Sequence, residues 1–397
     1  MSRRLLHVVT VPATLSLMRG QLSYLAKAGF DVHVAASFGD ERVPEELSQR
    51  ATLHSVTMNR SMNPLRDLGA LARLRQLVRS LSPDIVQGGT PKGALLGLLA
   101  AWLTNVPIRI YHVRGLAGMS SNKTRAKAAQ LAEALCCRLA THVLCVSESV
   151  REVMLASKVC SPEQVHVLLR GSSNGVDAEG RFDPARHVSQ RAELRQRLGI
   201  SGDSLVIGFV GRLVVDKGIL ELHEAWQQLR EEFPQLRLLL VGPFEEGDSV
   251  PSAVRAALQG DARVTITSTP WGEAAPIYSA MDLVCFPSHR EGFPNVPLEA
   301  AAMELPVVAT NVVGCRDAVV HQRTGLTVEA KNSRALREAM ATLITNPELS
   351  KRLGQAGRQR VLQDYRPSDL WQAQVDWYTQ LLAATPEVRR TRGWARA

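Results

Sequence analysis

Residues 206–218 read VIGFVGRLVVDKG. The apolar run VIGFV is too short for a helix and suits a strand covered on both faces. Gly211 permits a tight exit from that strand, and a helical pattern follows from about 217 to 232. Strand, glycine-bounded loop and helix in this order form the unit of a parallel sheet.

The same alternation recurs on both sides of this stretch. Val, Ile and Leu runs mark strands near 4–11, 31–36, 52–57, 84–87, 108–112, 142–146 and 164–169, then near 204–210, 236–241, 263–267, 282–286 and 306–310. Helical patterns fall near 16–28, 65–80, 92–103, 123–139 and 148–156, and later near 217–232, 251–259, 273–280, 296–304, 333–345, 348–363 and 367–384. In LRDLGALARLRQLVRSL (65–81), Leu68, Leu71, Leu74 and Val78 recur at helical spacing as a core stripe, with Arg66, Arg73 and Arg79 directed elsewhere. GALLGLLAAWLT (93–104) is too short to span a bilayer and reads as a helix buried on a sheet.

At 397 residues the chain exceeds one ordinary core. The turn-rich GSSNGVDAEGRFDP (171–184) is the connector. The predicted organisation is α/β: a first Rossmann-like domain over 1–180 and a second over 181–366. A helix over 367–385, bearing Trp371, Trp377 and Tyr378, crosses back to the first domain, and an Arg-rich tail over 386–397 is expected to be disordered. Ligands are expected in a crevice facing the carboxyl ends of the strands.

The composition, 45% apolar and 21% charged, is that of a soluble globular protein. Six cysteines show no metal-ligand spacing, so free thiols and a reducing compartment are expected. The N-terminal apolar run is read as a strand rather than a signal peptide. Of the net charge of +9, residues 1–180 supply +8 (21 Lys or Arg against 13 Asp or Glu). Such a surface attracts nucleic acid, an anionic membrane or phosphate-bearing substrates. No nucleic-acid signature is present and no aromatics interleave with the arginines, which sets nucleic acid aside.

Two segments supply an anion site. Arg212 and Lys217 follow Gly211; one offers a planar fork and the other a compact charge. In REGFPNVPLEA (290–300), Pro297 suits a first helical turn, which places the helix start near Val296. Gly292 to Asn295 form the loop before it, and free N–H groups at that start bind anions. The acids then hold something else: Glu299 suits ribose hydroxyls or a helix cap, and Glu291 suits sugar hydroxyls, developing positive charge or solvent.

Together GRLVVDKG (211–218), EGFPNVPLE (291–299) and PVVATNVVGCRDAVVHQRTGLTV (306–328), with NGVD (174–177) and VSES (146–149), resemble the family 4 glycosyltransferases. These are retaining enzymes of the GT-B fold, two Rossmann-like domains facing a cleft. The resemblance implies nucleotide-sugar binding by the second domain and acceptor binding by the first. Carried onto this chain, Arg212 and Lys217 take the diphosphate, Glu299 the ribose and Glu291 the donor sugar. Gly211, Gly292, Phe293, Pro294, Asn295 and Val296 complete the donor site. Pro243 and Trp271 are base contacts, although packing serves Trp271 equally well.

A first-domain histidine common in the family is replaced here. The stretch is HVRG (112–115), with Arg114 at that place and His112 two positions earlier, as in a branch acting on polyprenyl-diphosphate-linked sugars. Arg114 either stabilises the leaving diphosphate or is structural, and His112 either takes part or merely ends a strand. Arg19 and Gly20 lie in the expected acceptor loop. Lys92 either meets an acceptor phosphate or is a solvated helix-start residue. Residues 114–127 suggest a mobile acceptor loop.

The catalytic set expected is thus Glu291, Arg212, Lys217, Arg114 and His112. The reaction is transfer of a hexose or N-acetylhexosamine, from a UDP-sugar first, to a polyprenyl-diphosphate-linked saccharide in polysaccharide assembly. No DxD motif occurs, so no metal or cofactor is expected. The partners are the nucleotide sugar, the saccharide acceptor and an anionic membrane surface, with a cytoplasmic, peripheral location at the inner face. The rivals are a non-catalytic sugar-nucleotide-binding subunit, a sugar-nucleotide epimerase and a nucleic-acid-binding protein.

Overall fold

The computed structural model describes residues 3–38, 50–59, 63–116, 123–268 and 274–385. The tail beyond 385, the loop over 117–122 and Trp271 lie outside these residues. The chain forms two compact units. One comprises Met1–Asn174 with Pro367–Ala397, and the other comprises Gly175–Arg366.

The first unit carries strands β1 (Arg3–Val8), β2 (Phe30–Ala36), β3 (Thr52–Ser55), β4 (Ile85–Gly88), β5 (Ile108–Val113), β6 (His142–Cys145) and β7 (Val165–His166). They pair in parallel in the order β3-β2-β1-β4-β5-β6-β7. Its helices are α1 (Gln21–Lys27), α2 (Pro64–Leu81), α3 (Pro91–Leu103), α4 (Lys123–Leu139) and α5 (Glu148–Ala156). In β1 successive side chains point to opposite faces, so Leu5 and Leu6 enter different cores. Leu5 joins Leu22 of α1 and Val32, while Leu6 joins Leu74 of α2, Val86 and Ala100 of α3.

The second unit carries β8 (Leu205–Val210), β9 (Leu236–Val241), β10 (Val264–Thr267), β11 (Leu283–Phe286), β12 (Val307–Thr310) and β13 (Leu326–Val328), in the order β10-β9-β8-β11-β12-β13. Its helices are α6 (Val188–Arg197), α7 (Ile219–Glu232), α8 (Ser252–Gly260), α9 (Ala275–Tyr278), α10 (Asn295–Ala302), α11 (Cys315–Ala318), α12 (Ser333–Thr345) and α13 (Pro347–Asp364). The last helix, α14 (Pro367–Ala384), belongs to the first unit, where Trp377 and Tyr378 join the core around Leu5.

Three local expectations change. The helix expected over 16–28 is split into a tight turn over Pro12–Met18 and α1. Gly20 divides them at φ 76, where a Cβ would collide with the Trp371 ring of α14. The core stripe of α2 is Ala70, Leu74 and Val78, while Leu68 is 63% exposed. The end of α3 is not buried, since Trp102 is 52% exposed. Beyond these, α6 is a helix in a stretch where the sequence pattern marks none. It docks through Arg191 and Arg195 onto Asp282 at 2.5 and 2.7 Å rather than through an apolar stripe.

Candidate active site

In the second unit, β8 leads to β9 on one side while β11 leads to β12 on the other. The loops leaving β8 and β11 therefore flank the point where strand order reverses, and such a point opens a crevice at the carboxyl ends of the strands. Both quoted motifs sit there.

The β8 loop is set by glycines. Gly211 has φ 148, and its N–H donates to the Val241 carbonyl at 2.9 Å. Gly218 has φ 74, and a Cβ there would collide with the carbonyl oxygen of Pro287 in the β11 loop. This close approach seats Lys217 against the neighbouring loop. Its ammonium pairs with Glu291 Oε1 and lies 5.4 Å from the centre of the Phe286 ring. Ser288 Oγ donates to the same Glu291 oxygen at 2.7 Å. Asp216 ties the loops again: its carbonyl accepts the His289 N–H at 2.8 Å, and its carboxylate accepts Arg290 Nε at 2.7 Å.

Helix α10 begins at Asn295, one residue before the expected Val296. Pro294 precedes it in extended backbone, and no side chain caps the start. Pro297 is on its first turn, and Val296 is half-buried. Phe293 is buried against the Tyr365 ring, with centroids 5.5 Å apart. Gly292 and Phe293 pass so close to Gly314 that a side chain at 314 would strike the Gly292 carbonyl. The backbone before α10 is thus fixed from two sides. Asn295 Oδ1 is buried without a hydrogen-bond partner among the described residues.

Glu299 does not cap this helix. Its Oε2 accepts the Tyr278 hydroxyl at 2.8 Å. Burial raises its pKa, and the Tyr278 bond and the charge of Arg181 offset part of the rise. Glu291 is likewise no solvated loop acid, since its side chain is 13% exposed and held by Lys217 and Ser288. Arg212 is the outlying member: exposed, it pairs with Glu245 at 2.8 Å on the loop after β9. Pro243 on that loop is exposed, and its carbonyl accepts the Leu213 N–H at 2.8 Å.

In the first unit strand order reverses between β1 and β4. Here His7, Gln87, His112 and Arg114 end their strands beside α14. Gln87 bonds His112 Nδ1 at 3.2 Å and accepts the Tyr378 hydroxyl at 2.5 Å. Burial and then the charge of Arg114 hold His112 neutral. Arg114 Nε and Nη1 are buried with no hydrogen-bond partner among the described residues. Burial lowers its pKa to about 10, so it stays cationic at neutral pH.

Lys92 is neither solvated nor open. Its side chain is 7% exposed and clamped by Asp67 of α2 at 2.7 and 3.0 Å. A helix-start lysine is drawn inward because α2 places a carboxylate opposite it, so an acceptor phosphate would have to displace that partner. The Arg19 carbonyl accepts Asn174 Nδ2 at 2.9 Å, which fixes the backbone into Gly20. Sequence reasoning missed Ser288, Tyr278 and Asp216. Asp216 lies inside one quoted motif and Ser288 adjoins the other, whereas Tyr278 reaches Glu299 from α9 and leaves no local signal.

Two family models match the chain: glycosyl transferases group 1 over residues 190–360, and a glycosyl transferase 4-like domain over residues 17–171. A Staphylococcus aureus protein, capsular polysaccharide biosynthesis glycosyltransferase CapM, is 33% identical over 96% of this chain and 98% of its own length. The Escherichia coli UDP-Gal:alpha-D-GlcNAc-diphosphoundecaprenol alpha-1,3-galactosyltransferase is 27% identical over 69% of each chain. Among solved structures, Anabaena Alr3699/HepE in complex with UDP and glucose superposes with a TM-score of 0.78. The identity is 20%, and the match covers 96% of this chain and all of the other. Sucrose-phosphate synthase from Thermosynechococcus elongatus gives 0.79 at 22% identity, over 96% of this chain and all of the other. The expected GT-B fold is borne out.

Proposed function

Since the chain belongs to the group 1 glycosyl transferases and is a glycosyltransferase, we propose that it moves a hexose or N-acetylhexosamine from a UDP-sugar to a polyprenyl-diphosphate-linked saccharide, with retention. The observation that carries this reading is the Lys217–Glu291 pair, on the loop that leads into the uncapped start of α10 at the strand-order reversal. The donor diphosphate enters between that ammonium and the N–H groups of the α10 start, an anion site by charge and by dipole. Binding releases Glu291 from Lys217 and turns its carboxylate to the donor sugar. Arg212 leaves Glu245 for the outer phosphate. The Glu299 oxygen not used by Tyr278 accepts from the ribose.

The leaving nucleoside diphosphate is stabilised electrostatically by Lys217, Arg212 and the helix start as its bond breaks. This task requires no metal, and we include none. The first unit takes the acceptor. Arg114, whose Nε and Nη1 are buried with no partner among the described residues, is suited to an acceptor phosphate, because a buried polar group left unpaired calls for an explanation. The lipid-diphosphate acceptor is supported by the relative from Escherichia coli named above. With such an acceptor, the reading we propose is a peripheral enzyme at the inner face of the cytoplasmic membrane.

The test is a donor panel scored for nucleoside diphosphate release, with and without polyprenyl-diphosphate saccharides. Release from one UDP-sugar only when acceptor is present, lost in Glu291→Ala, is the expected result. Release that ignores the acceptor, or isomerised free sugar nucleotide, would overturn it.

A further inference from the structure

We infer that the outer face of α2, α3 and α4 in the first unit is a docking surface for an anionic lipid bilayer. The inference rests on the lipid-linked acceptor proposed above and supplies the surface which that reading lacks. The three helices join β3 to β4, β4 to β5 and β5 to β6. Each crossover advances the same way across the sheet, so right-handed connections put all three on one face. There α2 packs on α3, and α3 on α4.

Among the described residues eight large apolar side chains are exposed, and six of them lie on these helices. Leu65 and Leu68 are on α2, Trp102 and Leu103 on α3, and Leu131 and Leu135 on α4; Leu131 is 73% exposed. None of them is required by the inner core, which α2 already meets with Ala70, Leu74 and Val78. Single exposed leucines need no explanation, but a cluster on adjacent helices marks an interaction surface.

The charge on the same helices identifies the occupant. They contain nine Lys or Arg and two Asp or Glu, which is seven of the chain's nine net positive charges. One of the two acids, Asp67, is already neutralised by Lys92. Arg66, Arg73, Arg79, Lys127 and Arg138 are all exposed. On α4, Lys127, Leu131, Leu135 and Arg138 fall on one stripe at i, i+4, i+8 and i+11, with the apolar pair between the cations. Exposed leucines and a tryptophan flanked by cations match a bilayer with acidic headgroups, where tryptophan and basic side chains meet the interface. No helix among the described residues is long and apolar enough to cross a membrane. The contact is therefore one of lying on the surface.

The experiment is co-sedimentation of the full chain with neutral phosphatidylcholine vesicles and with vesicles containing phosphatidylglycerol. Three proteins are compared: wild type, Trp102→Ser/Leu131→Ser/Leu135→Ser, and Arg73→Glu/Arg79→Glu/Arg138→Glu. UDP affinity and thermal melting are measured on each. Wild type is expected to partition at least tenfold better onto the anionic vesicles. The serine variant should lose at least tenfold of that binding, and the glutamate variant about fivefold per cation, both with UDP affinity and melting unchanged. Equal binding to both vesicle types, or variants that sediment like wild type, would overturn the inference. So would a wild type that binds no vesicle and forms a dimer dissociated by the serine substitutions, since the occupant would then be a second copy. Loss of UDP binding in the wild type would instead count against the proposed function, which keeps the two readings separable.

Discussion

Glu291 and Glu299 are eight positions apart in one motif, yet they answer to different neighbours. Glu291 faces Lys217 across a loop-to-loop contact and Ser288 on its own loop, whereas Glu299 accepts the Tyr278 hydroxyl. Their residue types and spacing were legible in the sequence. Their partners were not, because Tyr278 arrives from another helix and Arg212 turns to Glu245. Removing the Tyr278 hydroxyl should act on Glu299 in a definite direction. Burial raises this carboxyl's pKa and the hydroxyl lowers it, so Tyr278→Phe raises it further. The acid limb of the kcat/KM profile is then expected to move to higher pH, with a several-fold rise in donor KM at neutral pH, as one hydrogen bond of about 1 kcal/mol is lost. An unmoved acid limb would deny Glu299 its place in the donor site.

Strands β8 and β11 were readable as short apolar runs, and the α10 start was placed within one residue by Pro297. Helix α6 was not readable, because its contact with the sheet is ionic: Arg191 and Arg195 on Asp282, which also accepts the Val206 N–H at 2.8 Å. An apolar-stripe criterion finds helices that bury leucines and overlooks one that buries an arginine. Asp282→Ala leaves Arg195, 3% exposed, without its counter-charge and is expected to cost about 3 kcal/mol in urea unfolding. A cost below 1 kcal/mol would show that α6 docks by other means. At the loop between β8 and α7, Gly218→Ala combines a positive φ with a collision at the Pro287 carbonyl. It should destabilise by about 1–3 kcal/mol and weaken UDP binding as Lys217 shifts.

For the molecule as a whole, two parallel sheets and the connector between them could be read from the alternation of strands and helices, and motif spacing pointed to the family. The outer face of α2 to α4 could not be read, because Leu68 has the same spacing as a core residue and only packing shows which stripe turns inward. The first unit also carries a pH dependence. His7 is held neutral by burial and then by Arg114, with its pKa lowered to about 3, and His142 is lowered to about 4. Between pH 6.5 and those values the unfolded chain binds more protons than the folded one, so stability falls with falling pH. Melting at pH 5 is expected several degrees below melting at pH 7.5, with a smaller difference in His7→Gln; equal differences would remove His7 from the account. The central claim is that a nucleoside diphosphate is gripped by Lys217 at the start of α10, and calorimetric titration of the full chain with UDP tests it most directly. Losing one charge-assisted bond of about 1.5–3 kcal/mol, Lys217→Met should bind UDP about ten- to a hundredfold more weakly than wild type, while Arg114→Gln stays within about twofold. Equal affinity in wild type and Lys217→Met, or no UDP binding by either, would contradict it.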